Sequence, residues 1–479
     1  MEALRRVYDL LPSSAQSAAA SLRGLYLRAW RYGPETDVLV ADALARETWD
    51  RQRWAQWRSE VLPRLLNRAA TTVPHYRDWW SERTGPGGGA TWSRLEEWPV
   101  LVKQALRKNP RSFIADDRSA RLLFTKHTSG TTGTPLTLWT GRADLRRWYA
   151  LFEARVRRWN GVTRSDRWAI LGGQLVTPAE KTTPPFWVWN AGLSQLYMSS
   201  HHLAPANVAA YAGALFRHRV VYVLGYASSL YSLASMALEK GIELPRLKVA
   251  ISNAEPLYEF QRQAIARAFD CPVRDTYGMA EVACAASECE AGSLHLWPEV
   301  GITEILRDES DQAAPAGESG RLICTSLLNF DMPLVRYETG DRGVLAEESQ
   351  SSCGCGRKLP VLRSIEGRCD DVLVTPDGRR IGRLDPLFKG DLPIKEAQII
   401  QEEVSRVRVR VVPAPGFGVR HSEDISRRLR ERLGPDVNIV IESVEQIPRT
   451  RAGKFQAVVS LVHRDNAGRP GPARAEGAP

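Results

Sequence analysis

The stretch VVYVLGYASSLYSLASMALEKGIELPRLKVAISN, residues 220–253, decides the fold class. Its two ends, residues 220–226 and 247–253, are short apolar runs typical of strands that are buried on both faces. The segment between them has a helical pattern that ends at Gly241, a residue suited to the left-handed cap after a last helical turn. A strand, a helix and a second strand in this order predict a βαβ unit with parallel strands.

The same alternation continues around this unit. RWAILGG, residues 167–173, is another short apolar run, and helix-like segments separate the runs from one another. Residues 111–367 are therefore predicted to form a large α/β domain with a mostly parallel sheet and helices on both faces. Ligands of such sheets bind at the carboxyl ends of the strands.

The two ends of the chain have different patterns. Residues 1–110 show the spacing of amphipathic helices, which we expect to pack on the large domain; a location at a membrane surface is the alternative. Residues 368–463 are predicted to form a small α+β domain, with strands such as VRVRVVP and a helix that begins at a Ser422 cap. Residues 464–479 contain no large apolar side chain and are predicted to be disordered.

Composition limits the class of protein. The 479 residues are 43% hydrophobic and 25% charged, which are globular values. No apolar stretch is long enough to span a membrane, no signal-peptide core is present, and seven cysteines fit a reducing compartment, so we expect a cytoplasmic protein. The net charge of +10 is spread along the chain, which predicts a solvated arginine-rich surface and no nucleic-acid partner.

The segment TKHTSGTTGTPLTL, residues 125–138, has the pattern of a phosphate-binding loop. Glycine lets backbone N–H groups approach an anion, and hydroxyl groups add further donors. The loop is not a Walker A motif, since no lysine follows its second glycine, and an ordinary Ser/Thr/Gly-rich loop is the alternative. Its small residues are Thr128, Ser129, Gly130, Thr131, Thr132, Gly133 and Thr134.

Later segments carry further residues suited to a nucleotide. In RDTYGMAEV, Tyr277 can stack on a base, and Glu281 can hold a metal ion that neutralises phosphate charge. In RYETGDRG, Asp341 can accept hydrogen bonds from a ribose diol, although an Asx turn is the simpler interpretation. Lys454 follows a glycine in RTRAGKFQ, where an exposed lysine is usually only solvated.

The order of the segments is more specific than any one of them. TSGTTGTP, SNAEP, YGMAE, RYETGDRG, EGRCDD and RTRAGKFQ follow one another along the chain. This series resembles the adenylate-forming superfamily of acyl-CoA synthetases, adenylation domains and luciferases, and within it the phenylacetate–CoA ligase and capsular-polysaccharide-biosynthesis-like family. The resemblance implies a small mobile C-terminal domain and ATP-dependent activation of a carboxylic acid as an acyl-adenylate, with release of pyrophosphate.

The resemblance also implies a role for each motif. The pyrophosphate end of ATP lies in the loop of residues 128–134, Glu281 binds Mg²⁺, and Asp341 holds the ribose. Arg368 reaches the ribose or phosphate, Asp370 is the hinge, and Lys454 bridges the substrate carboxylate and the α-phosphate. Adenine is lined by Ser252, Asn253, Ala254, Glu255 and Pro256, with Tyr277 and Gly278 at its ring.

The acyl acceptor is less well defined by the resemblance. CoA is the expected acceptor, as in an acyl- or aryl-CoA ligase; an amine, or the thiol of a carrier protein, is the alternative. Ala280 stands where the superfamily often has Thr or Ser, so a hydroxyl donor toward the α-phosphate is missing. The sequence identifies neither the carboxylic acid nor the oligomeric state.

Four cysteine and histidine residues form a separate pattern. Cys289 and His295 follow the Glu281 motif, and Cys353 and Cys355 form a Cys-x-Cys turn. Three thiolates and one imidazole make a closed tetrahedral set for a structural Zn²⁺ ion. Four unrelated residues are the alternative interpretation.

Overall fold

The computed structural model describes residues 7–84, 94–128, 136–172, 176–178, 181–308, 310–315, 317–346, 353–368, 373–376, 380–381, 392–449 and 455–462. These residues fall into two compact units. The larger unit contains the described residues up to 339 together with 343–346 and 353–364, and the smaller unit contains 340–342 and the described residues from 365 onward. The predicted α/β class, with a large N-terminal part and a small C-terminal part, is confirmed.

Helices dominate the first hundred residues and then alternate with strands. In the larger unit they are α1 Ser13–Arg31, α2 Thr36–Ala45, α3 Arg51–Thr72, α4 Pro74–Thr84, α5 Lys103–Lys108, α6 Arg142–Phe152, α7 Val208–Arg217, α8 Ala227–Lys240 and α9 Glu259–Phe269. The smaller unit contributes α10 Val419–Leu433. The C-cap of α8 is Gly241 with φ +64°, as the sequence predicts.

The strands form one large sheet and three small ones. β1 Phe124–His127 and β2 Thr137–Thr140 pair with each other, as do β15 Leu373–Val374 and β16 Arg380–Ile381. The large sheet contains β3 Trp168–Gly172, β4 Trp187–Asn190, β5 Gln195–Ser199, β6 Tyr222–Tyr226, β7 Val249–Asn253, β8 Val273–Gly278, β9 Ala285–Glu288, β10 Leu294–Leu296, β11 Gly301–Leu306, β12 Gly320–Ser326, β13 Tyr337–Leu345 and β14 Val361–Arg368. The fourth sheet contains β17 Ile394–Glu403, β18 Arg406–Pro413, β19 Asn438–Ser443 and β20 Val458–Ser460.

Within the large sheet, parallel pairing joins five neighbouring strands. They lie in the order β5, β3, β6, β7, β8, and antiparallel strands flank them on both sides. The three apolar runs of the sequence are β3, β6 and β7, so the predicted βαβ unit is β6–α8–β7. All five strands end at the same edge of the sheet, which is where ligands of parallel sheets bind.

Side chains of the parallel strands alternate between two hydrophobic cores. In β7, Ala250 belongs to the core under α7, α8 and α9, whereas Val249 and Ile251 belong to the core under α2 and α6. In β6, Val223 belongs to the first of these cores and Leu224 to the second. This two-residue period explains why the strands read as uninterrupted apolar runs, because both of their faces are covered.

The smaller unit is an α+β structure with its own core. Val407, Val409 and Val411 of β18 lie on one face of the sheet and pack with Ile425 and Leu429 of α10. Helix α10 begins at Val419 and its N-cap is Gly418, so the predicted Ser422 cap is wrong. The Gly418 N–H donates instead to the His421 ring at 3.1 Å, which allows the helix to begin earlier.

Candidate functional site

Two of the predicted motifs meet at the carboxyl edge of the parallel strands. SNAEP begins in the last two residues of β7, and YGMAE begins in the last two residues of β8. The two strands are neighbours, with Asn253 paired to Thr276, and the Thr276 hydroxyl donates to the Ser252 carbonyl at 2.7 Å. Segments that are separate in sequence therefore form one continuous surface.

The SNAEP loop combines backbone strain with unsatisfied polar atoms. Ala254 has φ +62°, a conformation that L-residues adopt at a cost of about 1–3 kcal/mol and that recurs at functional sites. The Glu255 carboxylate accepts the Ser228 backbone N–H at 2.9 Å. Within the described chain, the buried Asn253 Oδ1 and Ser228 Oγ have no hydrogen-bond partner. Buried polar atoms are normally paired, so these two are available to a polar ligand or to water.

Glu281 is buried and held in place at one of its two carboxylate oxygens. Oε1 accepts the Tyr337 hydroxyl at 2.9 Å, and the Lys103 ammonium lies 3.4 Å from the same oxygen. Among described residues, no donor contacts Oε2. The next residue, Val282, has φ +54°, a second strained position beside a predicted motif.

Lys103 was not found by sequence reasoning. Leu101 forms a parallel bridge with Tyr337, and its N–H donates to the Arg336 carbonyl at 2.9 Å. The Arg336 guanidinium in turn donates to the Trp98 carbonyl at 2.8 Å. These bonds hold the start of α5 against β13, which brings Lys103 to Glu281. No local pattern around Lys103 signals this contact.

The Glu281 site fits a divalent cation such as Mg²⁺. Mg²⁺ in phosphate-transfer sites binds one or two protein carboxylate oxygens and keeps water or phosphate at its other positions. One carboxylate oxygen, already oriented by its partner atom, meets that need. When bound, the ion would supply positive charge for the phosphates of a nucleotide.

The other predicted nucleotide residues are only partly described. Thr128 closes the base of the phosphate loop, because its N–H donates to the Leu136 carbonyl and its Oγ1 accepts the Leu136 N–H, at 3.0 and 2.9 Å. Asp341 lies in β13 after Gly340, which has φ +81°. Arg368 ends β14, but its side chain is outside the described part. Ser129, Gly130, Thr131, Thr132, Gly133, Thr134, Asp370 and Lys454 also lie outside it, so the roles of these residues stay predictions.

The four predicted zinc ligands converge. All four ligand atoms lie within 4.8 Å of one another. Cys289 Sγ is 3.5 Å from Cys353 Sγ, and Cys355 Sγ is 3.3 Å from His295 Nε2. Ligand separations of this size suit a tetrahedral ion bound at about 2.0–2.3 Å. The spacing along the chain is irregular because separate parts of the chain supply the ligands. Cys289 follows β9, His295 lies in β10, and Cys353 and Cys355 lie in the turn before β14.

Atoms behind the ligands orient and charge-balance this cluster. The His295 Nδ1 lies 3.0 Å from the Leu359 carbonyl, which leaves Nε2 as the metal-facing nitrogen. Arg357 pairs with Glu47 and Glu290 beside the same turn. Three thiolates around Zn²⁺ carry a net negative charge, so a neighbouring guanidinium is favourable.

The thiols of the cluster differ in acidity. Burial raises the pKa of the Cys289 thiol to about 12. Burial also raises the pKa of Cys353, but hydrogen bonds involving Ser293 and the Cys355 backbone outweigh it and bring the pKa to about 6. Metal binding would therefore release a proton from Cys289.

Comparisons with known proteins agree with these observations. Residues 373–461 match the family described as CapK C-terminal domain. Protein CapK of Staphylococcus aureus is 26% identical over 381 residues, which cover 78% of this chain and 82% of that protein. A phenylacetate-coenzyme A ligase of Thermus thermophilus is 25% identical over 464 residues, covering 87% of this chain and 98% of the ligase.

A solved structure shows the same fold. The 2-hydroxyisobutyryl-CoA ligase in the postadenylation state, in complex with 2-HIB-AMP, superposes with a TM-score of 0.68 at 21% identity. The superposition covers 88% of this chain and 92% of that one. The order of the motifs, the fold and the sequence similarities thus agree. The chain is a homologue of CapK and of the phenylacetate-coenzyme A ligases, with the fold of the adenylate-forming ligases.

Proposed function

We propose that this protein is an AMP-forming ligase that activates a carboxylic acid with ATP and then transfers the acyl group to CoA. The observation that carries the proposal is the buried Glu281 carboxylate, whose Oε2 has no donor among the described residues, in the segment that follows β8, the neighbour of the strand that carries the strained SNAEP loop. This is the arrangement that a metal–nucleotide substrate needs. The relatives named as phenylacetate-coenzyme A ligases support the same chemistry.

In the first half-reaction, a carboxylate oxygen of the acid attacks the α-phosphorus of ATP. The bond from that phosphorus to the bridging oxygen breaks, and pyrophosphate leaves with the electron pair. Such transfers depend on positioning and charge neutralisation more than on covalent catalysis. Glu281 would hold Mg²⁺, and Asn253 and Ser228 meet the nucleotide. Asp341 holds the ribose, Arg368 reaches the ribose or phosphate, and Lys454 supplies positive charge.

In the second half-reaction, the CoA sulfur attacks the acyl carbon. The bond between that carbon and the phosphate oxygen breaks, AMP leaves, and the thiol proton passes to solvent. The relatives named as phenylacetate-coenzyme A ligases favour CoA over an amine or a carrier-protein thiol. We propose that the smaller unit moves about Asp370 between the two half-reactions.

The cysteine and histidine cluster is proposed as a structural zinc site. It ties the turn between β9 and β10 to the turn that carries Cys353 and Cys355. Four protein ligands fill a tetrahedral zinc ion completely, which leaves no position for a substrate. The ion would therefore stabilise the fold and take no part in acyl transfer.

A pyrophosphate-release assay tests the proposed reaction. Aromatic and aliphatic carboxylic acids are supplied one at a time with ATP and Mg²⁺, and CoA or an amine is then added. At least one acid should release pyrophosphate, and CoA should convert the bound adenylate to a thioester. Conversion by an amine and not by CoA would change the acceptor. Absence of pyrophosphate release across a broad acid panel would contradict the ligase proposal.

Lys454→Ala tests the catalytic lysine directly. Removal of a charge at the developing phosphate charge should slow ATP–pyrophosphate exchange by about two to three orders of magnitude. Lys358→Ala, which changes the same residue type near the metal cluster, is the matched control. An exchange rate equal to that of the unaltered protein would show that Lys454 has no such role.

A further inference from the structure

Helix α1 packs on the larger unit through its small polar face. Ser17 Oγ accepts the Trp189 N–H at 3.3 Å, and Ser21 Oγ accepts the Ala191 N–H at 3.0 Å. Asn190 lies between Trp189 and Ala191. Gly24 of α1 approaches it so closely that a Cβ atom on residue 24 would fall 1.8 Å from the Asn190 amide oxygen. At these positions the face that α1 turns to the protein is hydroxyl- and glycine-rich, and near the end of the helix Trp30 packs on Phe124.

Three large apolar side chains of α1 point to solvent, whereas Leu27 and Trp30 are half-buried. Leu22, Leu25 and Tyr26 are 70%, 55% and 47% exposed and have the i, i+3, i+4 spacing of one helix face. We call these three residues the α1 stripe. Amphipathic helices of globular proteins normally bury such a face. A contiguous exposed apolar face with this orientation is typical of an interaction surface.

Positive charge lies next to the α1 stripe. Helix α1 contains three arginines and no acidic residue. Its last turn lines a cavity of about 450 Å³ that also includes Leu25 of the stripe. None of the residues lining the described cavity is acidic, and four are arginines: Arg28, Arg31, Arg157 and Arg164.

Two of these arginines are not neutralised by carboxylates. Arg157 pairs with Glu153 at 3.2 Å, and Arg164 pairs with Asp37 at 2.8 Å. Within the described chain, no carboxylate pairs with Arg28 or Arg31. The Arg31 guanidinium lies over the Tyr149 ring at 4.5 Å, and its buried Nε has no hydrogen-bond partner. The cavity therefore has an excess of positive charge that an anion would satisfy.

The cavity lies away from the nucleotide motifs. It is lined by Trp168, the first residue of β3, and by Leu193, which precedes β5. These are the amino ends of parallel strands, whereas SNAEP and YGMAE lie at the carboxyl ends. The α1 stripe and its cavity thus form a second surface on the opposite edge of the sheet, and they are not explained by the ligase chemistry.

We infer that α1 is a peripheral membrane anchor that docks on the surface of an anionic phospholipid bilayer. The α1 stripe enters the boundary between headgroups and acyl chains, and Arg28 and Arg31 receive a lipid phosphate. Interfacial helices combine an exposed apolar face with basic residues in this way, and guanidinium groups match phosphate geometry. In the described chain, no helix is long and apolar enough to cross a membrane. The inference does not depend on the proposed enzymatic function.

Vesicle co-sedimentation of the full-length protein tests the inference. The protein should bind vesicles of equimolar phosphatidylcholine and phosphatidylglycerol, bind pure phosphatidylcholine far more weakly, and be released by salt. Arg28→Glu should weaken binding to the anionic vesicles by about thirtyfold. The double variant Leu22→Ser, Leu25→Ser should weaken it by at least about tenfold. These residues are exposed, so thermal unfolding should be unchanged.

Matched controls keep the test specific. Arg217→Glu changes an exposed arginine in the last turn of α7, and Val419→Ser changes an exposed apolar residue of α10. Both should bind anionic vesicles like the unaltered protein.

Three results would overturn the inference. The first is absence of binding to anionic vesicles. If soluble glycerol 3-phosphate then raises the melting temperature of the unaltered protein but not of Arg28→Glu, the arginines bind a free phosphate and not a lipid. The second is equal binding by the α1 variants and the unaltered protein. The third is self-association that the Leu22→Ser, Leu25→Ser variant abolishes, without vesicle binding, because the stripe would then serve a second copy of the chain.

Discussion

Glu281→Gln is the substitution that separates the chemical role of the nucleotide site from its structural role. Glutamine keeps the size of the side chain and an oxygen that can still accept the Tyr337 hydroxyl. It removes the negative charge of the carboxylate, which faces Lys103 and would attract Mg²⁺. The variant should therefore fold, while losing most of its adenylation activity.

The magnitudes follow from the local geometry. Unit charges 3.4 Å apart attract by about 5 kcal/mol at an effective dielectric constant of 20. Lys103 is 28% exposed, so solvation offsets most of this attraction when its partner is removed. We expect a net loss of about 1–2 kcal/mol in the free energy of unfolding. Loss of the charge that positions the metal should slow adenylation by about two to three orders of magnitude.

Two measurements test the prediction together. ATP–pyrophosphate exchange is followed as a function of Mg²⁺ concentration, and urea unfolding is followed on the same preparations. Glu402→Gln removes a carboxylate that pairs with Arg408 at 2.7 Å, and serves as the matched control with normal exchange. If Glu281→Gln exchanges at the normal rate with a normal Mg²⁺ requirement, Glu281 is not the metal-binding residue.

Three further predictions concern the metal cluster, pH and the core. Protein purified without chelator should contain about one zinc ion per chain, and well under half an equivalent would argue against the site. Cys353→Ser should lose the zinc and lower the melting temperature more than it alters ATP–pyrophosphate exchange. The control Cys284→Ser should keep the zinc. Burial, reinforced by repulsion from Glu288, raises the pKa of Asp275 from 3.8 to about 7. The folded protein thus holds this proton more tightly than the unfolded chain, and the resulting stability is complete below about pH 4 and lost as the pH rises through about 7. From about pH 5 to about pH 8, the unaltered protein should lose about 1–3 kcal/mol of unfolding free energy relative to Asp275→Asn in urea unfolding; parallel pH profiles would contradict this assignment. Arg155 donates two hydrogen bonds to Glu299 in the core, both at 2.8 Å. Glu299→Gln should therefore lower the free energy of unfolding in urea by about 3–5 kcal/mol. A loss below about 1 kcal/mol would mean that the buried guanidinium finds another partner.

The sequence by itself determined the parts of this protein that depend on local pattern. The apolar runs of β3, β6 and β7 could be identified because strands buried on both faces carry uninterrupted apolar residues, and the cap at Gly241 requires only a left-handed backbone. The apolar run 247–253 likewise placed SNAEP at the end of a strand, whereas the strand that precedes YGMAE, β8, and its pairing with β7 are seen only in the structure.

Only the tertiary structure decided which distant side chains meet. The contact of Lys103 with Glu281 depends on the bridge between Leu101 and Tyr337, which has no local signature. Cys289 and Cys353 are far apart in the sequence, and only the fold brings their two turns together so that the thiols can bind one metal ion. The helical pattern of α1 likewise did not reveal its orientation. That orientation follows from the close approach of Gly24 to Asn190, which leaves Leu22 and Leu25 on the outer side of the helix. Packing between surfaces, and not periodicity, selects the face that a helix buries.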